Sequence, residues 1–125
     1  MTGPAWMAFL VAAGIGAPAR YLLDGWVQDH TRGAFPWGTF TVNITGCLIL
    51  GLLTGLGLYH GLDATTRTVV GTGAMGAYTT FSTFTFETVR LAEQGALDQA
   101  LRNAAAGFLV GLAAASAGIA LMAVA

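Results

Sequence analysis

The chain has 125 residues, of which 55% are hydrophobic and 9% charged, with a formal net charge of −1. Soluble domains carry about 25% charged residues, so the composition excludes an ordinary soluble domain. The basic residues are five arginines, Arg20, Arg32, Arg67, Arg90 and Arg102, too scattered for a nucleic-acid surface, and the lone Cys47 excludes an internal disulfide or a thiolate metal cluster.

Four segments are long enough to cross a bilayer whose hydrocarbon core, about 30 Å thick, needs roughly 20 apolar residues per helix. They are residues 4–23, 37–59, 68–93 and 102–125 of a single transmembrane domain, 1–125, and the third is expected to break near 76–80. In the first, Arg20 is the only charge; the second has none, the third has none as far as Phe86, and the fourth none from Ala104. Trp6, Tyr21, Trp26, Trp37 and Tyr59 lie near segment ends, where an aromatic belt belongs. Ala17-Pro18-Ala19 imitates a signal-peptide cleavage site, but the start Met-Thr-Gly-Pro lacks a basic leader, so four retained helices are expected. The 18 glycines follow no three-residue period and suit close helix packing in lipid.

Charge orients the segments only weakly. Arg32, Arg90 and Arg102 fall on the side of the first and third loops, and Arg67 with the terminal amine falls opposite. Orientation follows the arginine and lysine bias of short loops. A bias this small predicts insertion in both directions and antiparallel homodimers, with one-way insertion as the alternative.

The third segment carries the densest chemistry. Gly76-Ala-Tyr-Thr-Thr-Phe-Ser-Thr-Phe-Thr-Phe86 holds five hydroxyls on Thr and Ser within an uncharged run. On an unbroken helix Thr79, Thr80, Thr83 and Glu87 would share one stripe, with Phe81 and Phe84 on a neighbouring face. Each hydroxyl could simply bond back to the carbonyl four residues earlier. The alternative is a locally unwound helix whose freed carbonyls attract a cation while its hydroxyls donate to an anion.

Two residues in the first pair of segments also stand out. Asn43 is a primary amide at membrane depth, with Thr39 one turn earlier and Gly46 just after; it reads either as an interhelical hydrogen bond or as a ligand. Arg20 reads as an ion pair with Asp24, as a snorkelling side chain, or as a positive wall of an anion vestibule. Gly51-Leu-Leu-Thr-Gly55 and Gly107-Phe-Leu-Val-Gly111 are small-residue patterns for helix contact. No nucleophile–base set, phosphate loop or cofactor fingerprint occurs, and no carboxylate lies well inside a segment. A passive pathway is expected rather than an enzyme or a proton-driven pump.

Taken together, these motifs closely resemble the Fluc family of bacterial and archaeal fluoride channels. The resemblance rests on Gly16-Ala-Pro-Ala-Arg20-Tyr21, Gly38-Thr-Phe-Thr-Val-Asn43-Ile-Thr-Gly46 and Gly76-Ala-Tyr-Thr79-Thr80-Phe81-Ser82-Thr83-Phe84. It implies an all-α membrane protein with four helices per subunit, the third broken. It also implies an antiparallel, dual-topology homodimer in the cell membrane with two fluoride pores. By that resemblance a structural Na⁺ would sit at the dimer centre on backbone carbonyls of Gly76 and Thr79. Phe81 and Phe84 would line the pores with the Asn43 amide, Ser82 and Thr83 would form a hydroxyl track, and Arg20 and Glu87 would stand at the vestibule.

The implied function is passive, fluoride-selective conduction that exports cytoplasmic fluoride and so protects against its toxicity. A ring presents a positive edge to an anion, and several weak stations favour conduction. Two features depart from the family pattern: Ala77 and Tyr78 follow Gly76 where a second glycine is common, and Asn103 occupies the region of a pore-facing tyrosine. A small multidrug exporter is the alternative from the carrier class, but it needs a glutamate in the first segment. A non-transporting subunit of a larger membrane assembly is the other.

Overall fold

The computed structural model describes residues 1–125, and every regular element is helical. Helix α1 spans Gly3–His30, opening with a proline in its first turn, where a missing N–H breaks no bond. It runs through Asp24 and on to His30, well past the expected end of the first membrane segment at Leu23. The charges there do not stop a helix; its end comes at Thr31, whose N–H and hydroxyl turn back onto Gln28 O and Val27 O. Helix α2 spans Trp37–Tyr59 and closes on Gly61, whose φ of 70° lets Leu62 N–H return to Leu56 O.

The chain from Ala64 to Glu93 is not one helix. A short α3, Ala64–Arg67, leads into a π-helical segment, Thr68–Met75, and then α4, Gly76–Tyr78. Thr79 and Thr80 leave the helical region, at φ −78°, ψ 160° and φ −145°, ψ 120°. Helix α5, Phe81–Glu93, restarts beyond them, and α6 covers Leu97–Val124, beginning five residues before the expected fourth segment. Three helices, α1, α2 and α6, are long and apolar enough to cross a membrane.

Glycine sets how closely these helices approach. On α2 and α6 the backbones touch: a methyl group at Gly118 would fall 2.6 Å from Leu48 O, and one at Gly51 would meet the Ala115 carbonyl. Helix α1 lies equally close to the π segment, with Gly16 against the Ala74 carbonyl and Gly73 beside Phe9 O. Gly51 and Gly55 both face α6, whereas Gly107 faces Phe84 and Gly111 faces Cys47, so the second small-residue pattern divides between two neighbours. Only 17 of 125 residues are buried. The large apolar side chains left exposed on α1, α5 and α6 need lipid or protein around them. The chain is a multi-pass membrane protein.

Candidate functional site

Thr80 is the pivot. Outside a helix its N–H and C=O lose their ladder partners, and a buried backbone group without a partner is costly. Asn43 on α2 meets both: Thr80 N–H donates to Asn43 Oδ1 at 2.8 Å, and Asn43 Nδ2 donates to Thr80 O at 2.8 Å. The peptide group itself fixes the amide orientation, since an N–H can face only the oxygen. One amide hydrogen of Asn43 is left for other use.

The Thr80 hydroxyl then caps α5, accepting Thr83 N–H at 3.2 Å while donating to Thr83 Oγ1 at 3.0 Å. With that proton committed, Ser82 Oγ, 3.3 Å away, is the donor toward Thr80. Thr83 receives a hydrogen bond and keeps its own hydroxyl proton uncommitted. Thr79 and Thr85 instead bond back to Met75 O and Phe81 O, the ordinary fate of a helical threonine. Thr45 behaves likewise, and its oxygen also pairs with the buried Tyr78 hydroxyl at 2.8 Å.

Two cavities lie on this side of the chain. An open cleft of about 890 Å³ is bordered by Asp24, Gln28, Asp29, Glu87, Arg90 and Gln94, with Tyr21 and Trp26 among its apolar walls. A smaller one of about 200 Å³ is bordered by Arg20, Asp24, Thr39, Val42, Thr80 and Thr83. Arg20 makes no hydrogen bond within the chain, so its guanidinium and the Thr83 hydroxyl are donors available to an anion in the inner cavity. Of the three readings open for Arg20, the ion pair with Asp24 is not closed by a hydrogen bond; the Asp24 carboxyl lies instead against Gly38, near the start of α2.

The rings separate by environment. Phe81 is 77% exposed, whereas Phe84 lies over Gly107, where a methyl group would come within 2.5 Å of Cε2. Their centroids are 6.1 Å apart and the planes are inclined by 40°. Asn103, fully buried on α6, donates to Thr88 Oγ1 at 2.8 Å, and Thr88 donates to Phe84 O at 2.8 Å. Asn103 thus reaches Phe84 through Thr88.

Gly76 and Thr79 offer freed carbonyls. On a continuous helix their acceptors would be filled by Thr80 N–H and Thr83 N–H, but these go to Asn43 and to the Thr80 hydroxyl. Gly76 is exposed and has nothing within 4 Å of its side-chain position. Carbonyl oxygens are hard donors, the chemical type that a hard cation such as Na⁺ takes.

The family described as "CrcB-like protein, Camphor Resistance (CrcB)" matches residues 7–119. This chain belongs to the CrcB-like family. Among CrcB-like relatives, it is 47% identical over 114 residues to a protein of Streptomyces avermitilis named fluoride-specific ion channel FluC 1, covering 91% of this chain and 92% of the relative. It is 43% identical over 113 residues to a Leifsonia xyli protein of the same name, covering 90% and 82%. A Mycobacterium tuberculosis protein named fluoride-specific ion channel FluC 2 is 44% identical over 118 residues, covering 94% and 90%. The resemblance read from the three motifs is borne out.

The structure brings Asn43, Ser82 and Thr83 to one turn around Thr80, puts Arg20 at the adjoining cavity and places Glu87 on the outer cleft. Phe81 is not gathered into that cluster. Sequence reasoning missed Thr39, which is 2% exposed and donates to Glu87 Oε1 at 3.0 Å. Its place one turn before Asn43 was the available signal. It also gave no role to Tyr78, which stands in the third motif but whose hydroxyl partner, Thr45, lies 33 residues away.

Proposed function

We propose that the protein is a passive, fluoride-selective ion channel and not an enzyme. The observation that carries this reading is the turn at Thr79–Thr80, which gathers an amide, a hydroxyl track and an arginine beside a cavity, in a chain whose relatives are named fluoride channels. Arg20 supplies positive potential, and the Thr83 hydroxyl and the spare Asn43 N–H replace part of the water of a small, strongly hydrated anion, with Ser82 adding its proton when it turns from Thr80. Phe81 and Phe84 offer ring edges that attract an anion without holding it tightly. Export of cytoplasmic fluoride down its gradient, and protection from its toxicity, follow from passive conduction.

The assembly belongs to the same reading. An antiparallel homodimer would cover the exposed Gly76 and Phe81 face, join the Gly76 and Thr79 carbonyls of both copies around a structural Na⁺, and create two pores. The Na⁺ would supply fixed positive charge without a titratable group. Residues 68–93 would then form a single broken crossing.

Efflux measured with a fluoride electrode from liposomes holding the full chain, with chloride as comparison, tests the activity. Fluoride efflux well above chloride is expected; equal or absent efflux rejects the reading. For topology, Thr65→Cys in a Cys47→Ala background is expected to label from both membrane faces, and labelling from one face rejects dual insertion.

A further inference from the structure

Glu87 borders the outer cleft but not the inner cavity; Thr39 borders the inner cavity but not the outer cleft. The 3.0 Å bond from Thr39 Oγ1 to Glu87 Oε1 therefore lies in the wall between them. Glu87 Oε2 is buried and has no partner at all. A carboxylate held by one hydroxyl, with its second oxygen orphaned in a water-poor place, is poorly satisfied there. Burial works most against the Glu87 charge; Asp24, which borders both cavities, also opposes it from α1, while Arg90, on the outer cleft, favours it.

A threonine has one hydroxyl proton to give. While Glu87 holds it, no anion can use it. We propose that the Thr39–Glu87 hydrogen bond is a latch between the cleft and the cavity, opened when a permeating anion takes the Thr39 proton in the carboxylate's place. The exchange replaces one charge-assisted hydrogen bond by another, so only an acceptor as strong as a carboxylate competes. Fluoride is the strongest acceptor among the halides and chloride is much weaker, which makes Thr39 a selectivity-determining residue. The proposal deepens the channel reading and rests on it.

The test is efflux of fluoride and of chloride from liposomes carrying the full-length protein as wild type, Glu87→Gln, Thr39→Val, Thr39→Ser and the Thr39→Val/Glu87→Gln double variant. A neutral amide oxygen still accepts from Thr39 but holds it about half as strongly as a carboxylate. Glu87→Gln is expected to raise fluoride efflux several-fold and to narrow the fluoride-to-chloride ratio. Thr39→Val should lower fluoride efflux about tenfold and Thr39→Ser should restore it, an expectation based on loss of one donor station. In the double variant the gain from Glu87→Gln should vanish. A bond that merely ties α2 to α5 would survive Glu87→Gln, leaving rate and ratio unchanged; that outcome, or wild-type efflux in Thr39→Val, overturns the latch. Should Thr39→Val fail to fold, Glu87→Gln alone still decides. Wild-type protein without fluoride efflux would instead overturn the channel reading, and the latch with it.

Discussion

Asn43 does for Thr80 what a turn of helix would otherwise do: its amide oxygen and nitrogen take the Thr80 N–H and C=O, each at 2.8 Å. Because Thr80 is 8% exposed, water is a poor substitute. Orphaning each group costs about 1–3 kcal/mol. Asn43→Leu, similar in volume and unable to bond, is therefore expected to lower the melting temperature in detergent and to abolish fluoride efflux. A stable, conducting Asn43→Leu would mean that the turn is held by something else.

The two phenylalanines should respond differently to the same change. Phe81→Ile removes a ring that is mostly exposed in the protomer, so protomer stability should change by less than about 0.5 kcal/mol while efflux falls. Phe84→Ile empties space over Gly107 and should reduce both, with a stability loss of about 1–3 kcal/mol. Thermal melts of the solubilised protein beside liposome efflux separate the two cases. Unimpaired efflux in both variants removes the rings from conduction.

Glycine-to-alanine substitutions probe two different surfaces. At Gly107 a methyl group would strike the Phe84 ring, and crowding of this kind costs about 1–3 kcal/mol. Gly107→Ala should therefore impair efflux without changing the oligomeric state. At Gly76 the protomer offers open space, and alanine favours helix over glycine by about 1 kcal/mol. Light scattering on purified Gly76→Ala should nonetheless show a smaller dimer fraction, because a second copy would occupy that space. A fully dimeric Gly76→Ala would place the contact elsewhere.

Acid should loosen the α2–α3 connection. Asp63 accepts Thr66 N–H at 2.9 Å, and hydrogen bonding from Thr66, through its side chain first and then this backbone N–H, holds the carboxyl below the usual range. A lowered folded value makes the contribution complete above the ordinary aspartate value of about 3.9 and lost as pH falls through the lower, folded one. Asp63→Asn still caps but does not titrate. Wild type and variant should therefore melt with a constant difference above about pH 5, a difference that changes only on further acidification. A divergence that develops between neutral pH and about pH 6 would assign the titration to another group.

Three of the four expected spans, those carried by α1, α2 and α6, were legible because lipid demands long uncharged runs, and these can be read without knowing any contact. The break was legible for a related reason: five hydroxyls and three nearby glycines do not suit a lipid-facing helix. Other features depend on groups distant in sequence. Nothing in the local pattern distinguishes Thr80, which caps, from Thr79 and Thr85, which bond backward; that distinction is set by Asn43, 37 residues away. The run of α1 through Asp24 to His30 was hidden because a change in polarity was read as an end, when only Thr31 ends the helix. Widened winding across Thr68–Met75 leaves no signature in side-chain chemistry at all.

That widened stretch governs the angular aim of everything beyond it. Each residue of an α-helix turns the chain by about 100°, and a π turn absorbs an additional one without lengthening the ladder of bonds proportionately. Deleting a single residue between Thr68 and Met75 would remove what the wide turn takes up, letting it tighten to ordinary α winding with the downstream turn still aimed at Asn43. An added residue there would instead rotate that turn away, and should be far less tolerable than one between Thr31 and Phe35, where no helix transmits the rotation.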